Sequence, residues 1–362
     1  MIAVDLDADL VTLTAALVDI PSVSHDEGPL ADAVAEALSG IPALEVSRVG
    51  NSLIARTQTG AGERILLAGH LDTVPPAANL PHHLDDGVLY GLGAVDMKGG
   101  IAVMLHLAGL LRDVARRGDG RPDLTFVFYE CEEVASEFNG LERIVQQQPG
   151  LLSCDAALLL EPTDGQVEAG CQGTLRAEVS IAGVRAHSAR SWMGVNAVHR
   201  AREVLERLES YQPRRPVIDG LEFREGLNAV GIRGGIAGNV IPDECTVIVN
   251  YRFAPDLSVS AAQEHVRHVL AGFEVSFVDA APGALPGLQL PAVRDFIETV
   301  GAPPRAKLGW TDVARFSALG TPALNFGPGD PALAHASNEG VPVEQLEQCA
   351  EVLREWLFSS RA

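Results

Sequence analysis

Imidazole and carboxylate groups stand in this chain at positions where one structural element gives way to another. His70 and Asp72 lie in Gly-His-Leu-Asp-Thr-Val-Pro (Gly69–Pro75), directly after an apolar run, and Asp96 lies in Gly-Ala-Val-Asp-Met-Lys-Gly-Gly (Gly93–Gly100). Glu132 and Glu133 follow the run Leu124–Tyr129, Glu161 follows Ala156–Leu160, and His335 sits far downstream in Ala-His-Ala-Ser-Asn-Glu. Imidazole nitrogens and carboxylate oxygens are the donors that borderline divalent cations take, and a carboxylate left off the metal can move protons. Each block alone has a plainer reading: a buried His with a hydrogen-bonded Asp, an Asp that caps a helix, a solvated acidic loop, a surface histidine. Together they point to a metal-dependent hydrolase.

The elements that must position these groups follow from periodicity. Leu10–Val18 and Pro29–Leu38 space apolar residues as helices do, whereas Ser52–Arg56, Arg64–His70 and Leu124–Tyr129 are short apolar or β-branched runs. Met97–Arg117, rich in Ala, Leu and Val, reads as a helix. Such alternation predicts an α/β sheet covered by helices. From Gly173 the pattern changes: Thr174–Ile181 alternates strictly, and is followed by a helix over Asn196–Leu208, strands over Leu227–Arg233 and Cys245–Phe253, a helix over Ser260–Leu270 and a strand over Glu274–Val278. That β-α-β-β-α-β order is ferredoxin-like. The chain ends with the helix Val343–Phe358. Because His335 must meet His70 and Asp96, residues 1–172 and 283–362 should form one discontinuous metal-binding domain, with 173–282 inserted as a second.

Composition excludes several other functions. The 362 residues are 47% hydrophobic and 21% charged, which fits about two soluble globular domains. A formal net charge of -21 argues against non-specific binding to nucleic acid or to an anionic membrane. The five cysteines, Cys131, Cys154, Cys171, Cys245 and Cys349, are scattered without a Cys-x-x-Cys pair, so neither a disulfide framework nor a thiolate zinc site is expected, and a reducing cytoplasm fits. Met1–Ile20 carries Asp5, Asp7 and Asp9 without a basic start, unlike a signal peptide, and no apolar run is long enough to span a bilayer.

In their fixed order over nearly the whole chain, these blocks resemble the two-zinc amidohydrolases and exopeptidases, a family that includes carboxypeptidases, aminoacylases and deacylases of N-acyl amino acids. The resemblance implies that His70, Asp96, Glu133, Glu161 and His335 hold two divalent ions, zinc or else cobalt, with Asp96 bridging them. Asp72 would accept the other ring N–H of His70 and fix its orientation. Glu132, free of metal, would be the general base that deprotonates a shared water and returns the proton to the leaving amine. Adjacent strand residues face opposite ways, so Glu132 and Glu133 can serve one site only from a loop beyond Tyr129. The peptide bond after the bridging Asp is commonly cis in this family. The inserted domain would act as lid and dimerisation domain, and His187, in Gly-Val-Arg-Ala-His-Ser, would reach the partner subunit's site to stabilise the oxyanion, making a homodimer the active form. His25, His82, His83, His106, His199, His265 and His268 match no block and are assigned to surface or packing.

Substrate choice rests on fewer residues. Arg252, Asn239, Thr174 and Thr311, the last beside Asp312, match positions that hold substrate in the family's desuccinylases, and arginine offers a planar fork suited to carboxylate. The block Glu168–Arg176 is similar to the same enzymes, which implies N-succinyl-LL-2,6-diaminopimelate as substrate. Acetylornithine and dipeptides are the alternatives within the family, and a non-catalytic metal-binding relative is the alternative outside enzymes. Cys171 stands where many desuccinylases have arginine and Arg190 where they have tyrosine; Arg190 or Arg185 could supply the missing charge.

Overall fold

The computed structural model describes residues 4–112 and 122–359. The chain divides into two compact units, one of Met1–Ala169, Gly287–Arg305 and Arg315–Ala362, the other of Gly170–Pro286 and Ala306–Ala314. The second unit takes in more than the expected 173–282. Cys171 and Ala284 exchange backbone hydrogen bonds of 3.0 Å each, which clasps the ends of the insertion, and the Trp310 indole N–H donates to the Pro282 carbonyl at 3.1 Å.

In the first unit an eight-stranded sheet carries the parallel strands Asp123–Tyr129, Arg64–His70, Ala156–Leu159 and Ala323–Asn325 side by side in that order. All seven residues of Asp123–Tyr129 are buried, as expected of a strand covered on both faces of a parallel sheet. The antiparallel hairpin Glu45–Val49 and Ser52–Arg56 extends the sheet beyond it.

The helix expected from Met97 begins instead at Gly99 and runs to Leu110; residues 113–117 of the expected span lie outside the described residues. Ala94–Lys98 form a wide turn in which Asp96 and Met97 have non-helical backbone angles, and the Asp96–Met97 peptide bond is cis. Gly100 allows the helix to pack close: a Cβ there would sit 2.3 Å from the Leu160 carbonyl oxygen, at the end of the strand that leads to Glu161.

In the second unit, four antiparallel strands lie in the order Gly226–Gly234, Glu244–Phe253, Gly173–Ala182, Glu274–Ala281, the ferredoxin-like order. The alternation read from the sequence buries Leu175, Ala177, Val179 and Ile181 together with Val247 and Val249. The expected helix over Asn196–Leu208 is divided into Ala197–Arg200 and Arg202–Glu209, with Asn196 capping the first by accepting from Val198 N (2.9 Å) and His199 N (3.2 Å).

Candidate metal centre

Three adjacent parallel strands lead to three of the five candidate ligands, His70, Glu133 and Glu161, at one edge of the sheet. His70 pairs with Tyr129, and Ala68 with Leu159, so His70, the segment after Tyr129 and the segment after Leu159 all leave from the carboxyl ends of strands. That edge is where open α/β sheets place their sites. His70 Nε2 lies 2.9 Å from Asp96 Oδ1, and His335 Nε2 lies 2.8 Å from Glu133 Oε1 and 3.5 Å from Asp96 Oδ2. One donor atom each from His70, Asp96 and Glu133 falls within 4.8 Å of the others. Asp96 therefore sits between two imidazoles contributed by residues 265 positions apart in the chain (335 − 70). Glu161 is buried at the end of its own strand but lies outside that three-residue group.

The local charges match this geometry. Burial of the His70 ring opposes protonation, but the Asp72 and Asp96 carboxylates outweigh it and raise its pKa well above the ordinary histidine value. The hydrogen bond to Asp96, partly opposed by burial and reinforced by Glu133, lifts His335 to about 9. Burial pushes the Glu133 carboxyl up. Burial also acts to raise Asp96, yet the two histidines hold it well below the usual carboxylate range. Two imidazoles with clustered carboxylates make a donor set suited to a borderline divalent cation.

The two consecutive glutamates follow the end of their strand, and both of their backbone N–H groups turn to one carboxylate. Cys131 adopts a left-handed φ of 58° and is held by buried Glu27, whose Oε1 accepts from Cys131 N (3.2 Å) and His25 N (2.9 Å). Asp72 then accepts from Glu132 N (2.9 Å), Glu133 N (3.0 Å) and Ser24 Oγ (2.8 Å). Asp72 thus faces both the glutamate loop and the His70 ring. His70 Nδ1 lies 3.0 Å from the Asp72 carbonyl oxygen and 3.6 Å from its carboxylate, which is committed to the glutamate loop. A carbonyl can only accept, so Nδ1 carries a proton, and in the neutral ring Nε2 keeps its lone pair for a ligand.

Sequence reasoning missed Glu339 and Lys98. Glu339 is 2% exposed and accepts from Gly93 N (3.0 Å), Val95 N (2.9 Å) and Asp96 N (3.0 Å), bracing the turn that carries Asp96. It lies in the same Ala-His-Ala-Ser-Asn-Glu block as His335, where the eye goes to the histidine. Lys98 Nζ donates to the Ile20 carbonyl at 2.7 Å, and burial, partly offset by Glu339 and Asp19, depresses its pKa to about 7. Glu339→Ala strips three backbone N–H groups, two of them in buried bonds, of their acceptor. Supports of metal ligands lost in this way typically weaken binding about 10- to 100-fold, so zinc titration of the variant should show a loss in that range and a lowered melting temperature.

The remaining predicted residues lie in the second unit. Thr174 and Arg252 are directly opposite one another on neighbouring strands and line one cavity. Asn239 and Thr311 do not line it: the Asn239 carbonyl accepts from Ser188 N at 2.9 Å, and Thr311 is buried. Exposed His187 accepts a hydrogen bond at Nδ1 from Ala189 N at 3.0 Å. Arg185 is occupied by a two-pronged pair with Asp243, both contacts 3.0 Å, and Arg190 lies in the exposed turn Ser188–Met193. Cys171 is fully buried and carries no charge of its own to offer a substrate. His25, assigned to packing, lies 3.5 Å from Cys131 Sγ beside the glutamate loop.

Residues 66–359 match the profile of Peptidase family M20/M25/M40. The chain is 53% identical over 356 residues to a Mycobacterium tuberculosis protein with the provisional name succinyl-diaminopimelate desuccinylase DapE, covering 98% of this chain and 99% of that one. It is 48% identical over 361 residues to the succinyl-diaminopimelate desuccinylase of Corynebacterium glutamicum, covering 98% and 97%. The Bacillus subtilis YxeP protein, described as a dinuclear metal-binding peptidase, has a similar fold, with a TM-score of 0.72, 18% identity and 96% coverage of both chains.

Proposed function

Because the chain belongs to peptidase family M20/M25/M40, we propose that it is a metal-dependent amidohydrolase that cleaves N-succinyl-LL-2,6-diaminopimelate into succinate and LL-2,6-diaminopimelate. The observation that carries this reading is likeness along almost the full length of two proteins named for that reaction, at 53% and 48% identity. The cluster of His70, Asp96, Glu133 and His335 supports the hydrolytic part of it.

Two divalent cations, zinc or cobalt, would be held by His70, Asp96, Glu133, Glu161 and His335, and when bound they supply positive charge that polarises the amide carbonyl and acidifies water. Glu132 takes a proton from that water and delivers it to the leaving amine nitrogen. Its backbone N–H, fixed by Asp72, sets the base where its neighbour Glu133 can act as a ligand. His187 donates to the oxyanion: since its Nδ1 accepts the Ala189 N–H, its proton is on Nε2.

The active form is a homodimer in the cytoplasm, and the second unit supports the dimer. Gly226–Gly234 is an edge strand, and it exposes Val230 (61%) and Ile232 (50%), with Ile236 (67%) just beyond it. Apolar residues on an unpaired edge mark a surface that another chain covers. Ile232→Asp should convert the protein to a monomer by light scattering and lower its turnover. The five free thiols suit a reducing compartment.

The zinc-loaded enzyme assayed on both acyl substrates tests the specificity. It should hydrolyse N-succinyl-LL-diaminopimelate at least about 100-fold more efficiently than acetylornithine, because a site that pairs the charged groups of the diamino diacid is left with unpaired groups by a substrate that lacks them. Faster turnover of acetylornithine would overturn the substrate assignment.

A further inference from the structure

The open face of the four-stranded sheet in the second unit holds a cavity of about 410 Å³ lined by Thr174, Arg176, Asn250, Arg252, Asp279 and Trp310. Strand register explains how these polar groups come together. Thr174 lies opposite Arg252 and Arg176 opposite Asn250, and residues two apart on a strand share a face. The third strand contributes through an irregularity. Phe277 pairs with Ala177, but Asp279, not Val278, pairs with Arg176. In a regular ladder Val278 would oppose Arg176, and Asp279 would point to the other face. A bulge of this kind re-aims a side chain, and here it exchanges an apolar residue for a carboxylate.

The cavity therefore presents two guanidinium groups and one carboxylate. Arg176 and Asp279 are 3.9 Å apart with about half of each side chain exposed (54% and 53%), a loose pair that a ligand can separate at little cost. Among the described residues no carboxylate forms an ion pair with Arg252 within 4.0 Å. Asn250 is held by its Nδ2 contacts with Thr174 Oγ1 and the Leu175 carbonyl, 3.4 Å each, and the Trp310 indole is fixed through its N–H. A ligand end bearing only carboxylates would meet repulsion from Asp279. One that carries a carboxylate and an ammonium on the same carbon satisfies all three charges.

We infer that this cavity recognises a zwitterionic α-amino-acid group, with Arg252 and Arg176 binding its carboxylate and Asp279 its ammonium. The inference rests on the desuccinylase reading, because the distal end of N-succinyl-LL-diaminopimelate is such a group. It makes Asp279 and Arg176 specificity-determining residues. They supply the charge pattern that Cys171 does not, and that Arg185, engaged by Asp243, has no free fork to provide.

Kinetics of the zinc-loaded enzyme with N-succinyl-LL-diaminopimelate and with N-succinyl-2-aminopimelate, which lacks the distal amine, test it. A site built to bind an ammonium rejects the analogue without it, so wild-type kcat/KM should favour the diamino substrate at least about 10-fold. Asp279→Asn should bring that ratio to within about threefold of unity, mainly through KM, because the neutral amide loses the charge-assisted bond. Arg176→Met should raise KM for both substrates. Equal use of the two substrates by the wild type, or an undiminished preference in a folded Asp279→Asn variant, overturns this inference alone. Absence of any turnover of N-succinyl-LL-diaminopimelate by the wild type overturns the desuccinylase reading and this one with it.

Discussion

Glu132→Gln is expected to lower kcat by about 1,000-fold, within the range that a positioned general acid–base contributes, while the protein keeps its bound zinc. The amide is nearly isosteric with the carboxylate, so it fits the same place, but it cannot accept the proton of water at neutral pH. The loop should not move. Its backbone is held by Asp72 through the N–H groups of Glu132 and Glu133, and by Glu27 through that of Cys131, none of which involves the Glu132 side chain. Zinc content measured beside turnover separates the two roles that adjacent glutamates could have. A variant that binds zinc normally and retains more than about a tenth of wild-type kcat would show that the base lies elsewhere. One that has lost zinc would make Glu132 a ligand. KM should change little, because the group acts on the reacting atoms rather than on the ends of the substrate.

Strand and helix boundaries were legible where period and burial agree. Ser52–Arg56, Arg64–His70 and Val343–Phe358 occupy the spans their patterns predict, and Thr174–Ile181 extends by one residue at each end. The likeness of the site blocks to a known family was also legible, since each block sits where a strand or turn ends. The supports were not. Glu339 and Glu27 act by accepting backbone N–H groups from residues that are remote in sequence, or that any residue type could supply, and such bonds leave no pattern. The same holds for the Asp72 carboxylate: proximity to His70 suggests a ring partner, but the peptide groups of a distant loop that it also accepts from leave no pattern. The helix after Asp96 starts late because the turn through Asp96 and Met97 has non-helical angles that residue composition does not disclose. The placement of Asp279 depends on one extra residue in a ladder, which strand-like alternation alone cannot register.

Asp96→Ala should have the other large effect, and of a different kind: loss of metal together with loss of turnover. Its two oxygens face different imidazoles, Oδ1 at 2.9 Å from His70 Nε2 and Oδ2 at 3.5 Å from His335 Nε2, so one carboxylate serves both halves of the cluster. Two cations close enough to share a water repel each other, and a shared anion is the group that offsets this. Without Asp96 the cluster keeps the His335–Glu133 contact of 2.8 Å, whereas His70 loses the carboxylate that faces its Nε2. One site should therefore weaken far more than the other. Zinc bound after dialysis should fall from about two to at most about one per chain, and kcat by at least about 1,000-fold, since the remaining ion cannot both polarise the carbonyl and acidify the water as well as a pair does. The turn itself should persist, because Glu339 holds the backbone N–H groups of residues 93, 95 and 96 and not the Asp96 side chain. Circular dichroism of the variant should then match the wild type. A folded Asp96→Ala protein that still binds two equivalents of zinc would remove Asp96 from the bridge and leave Glu133 and Glu161 to hold the ions without it.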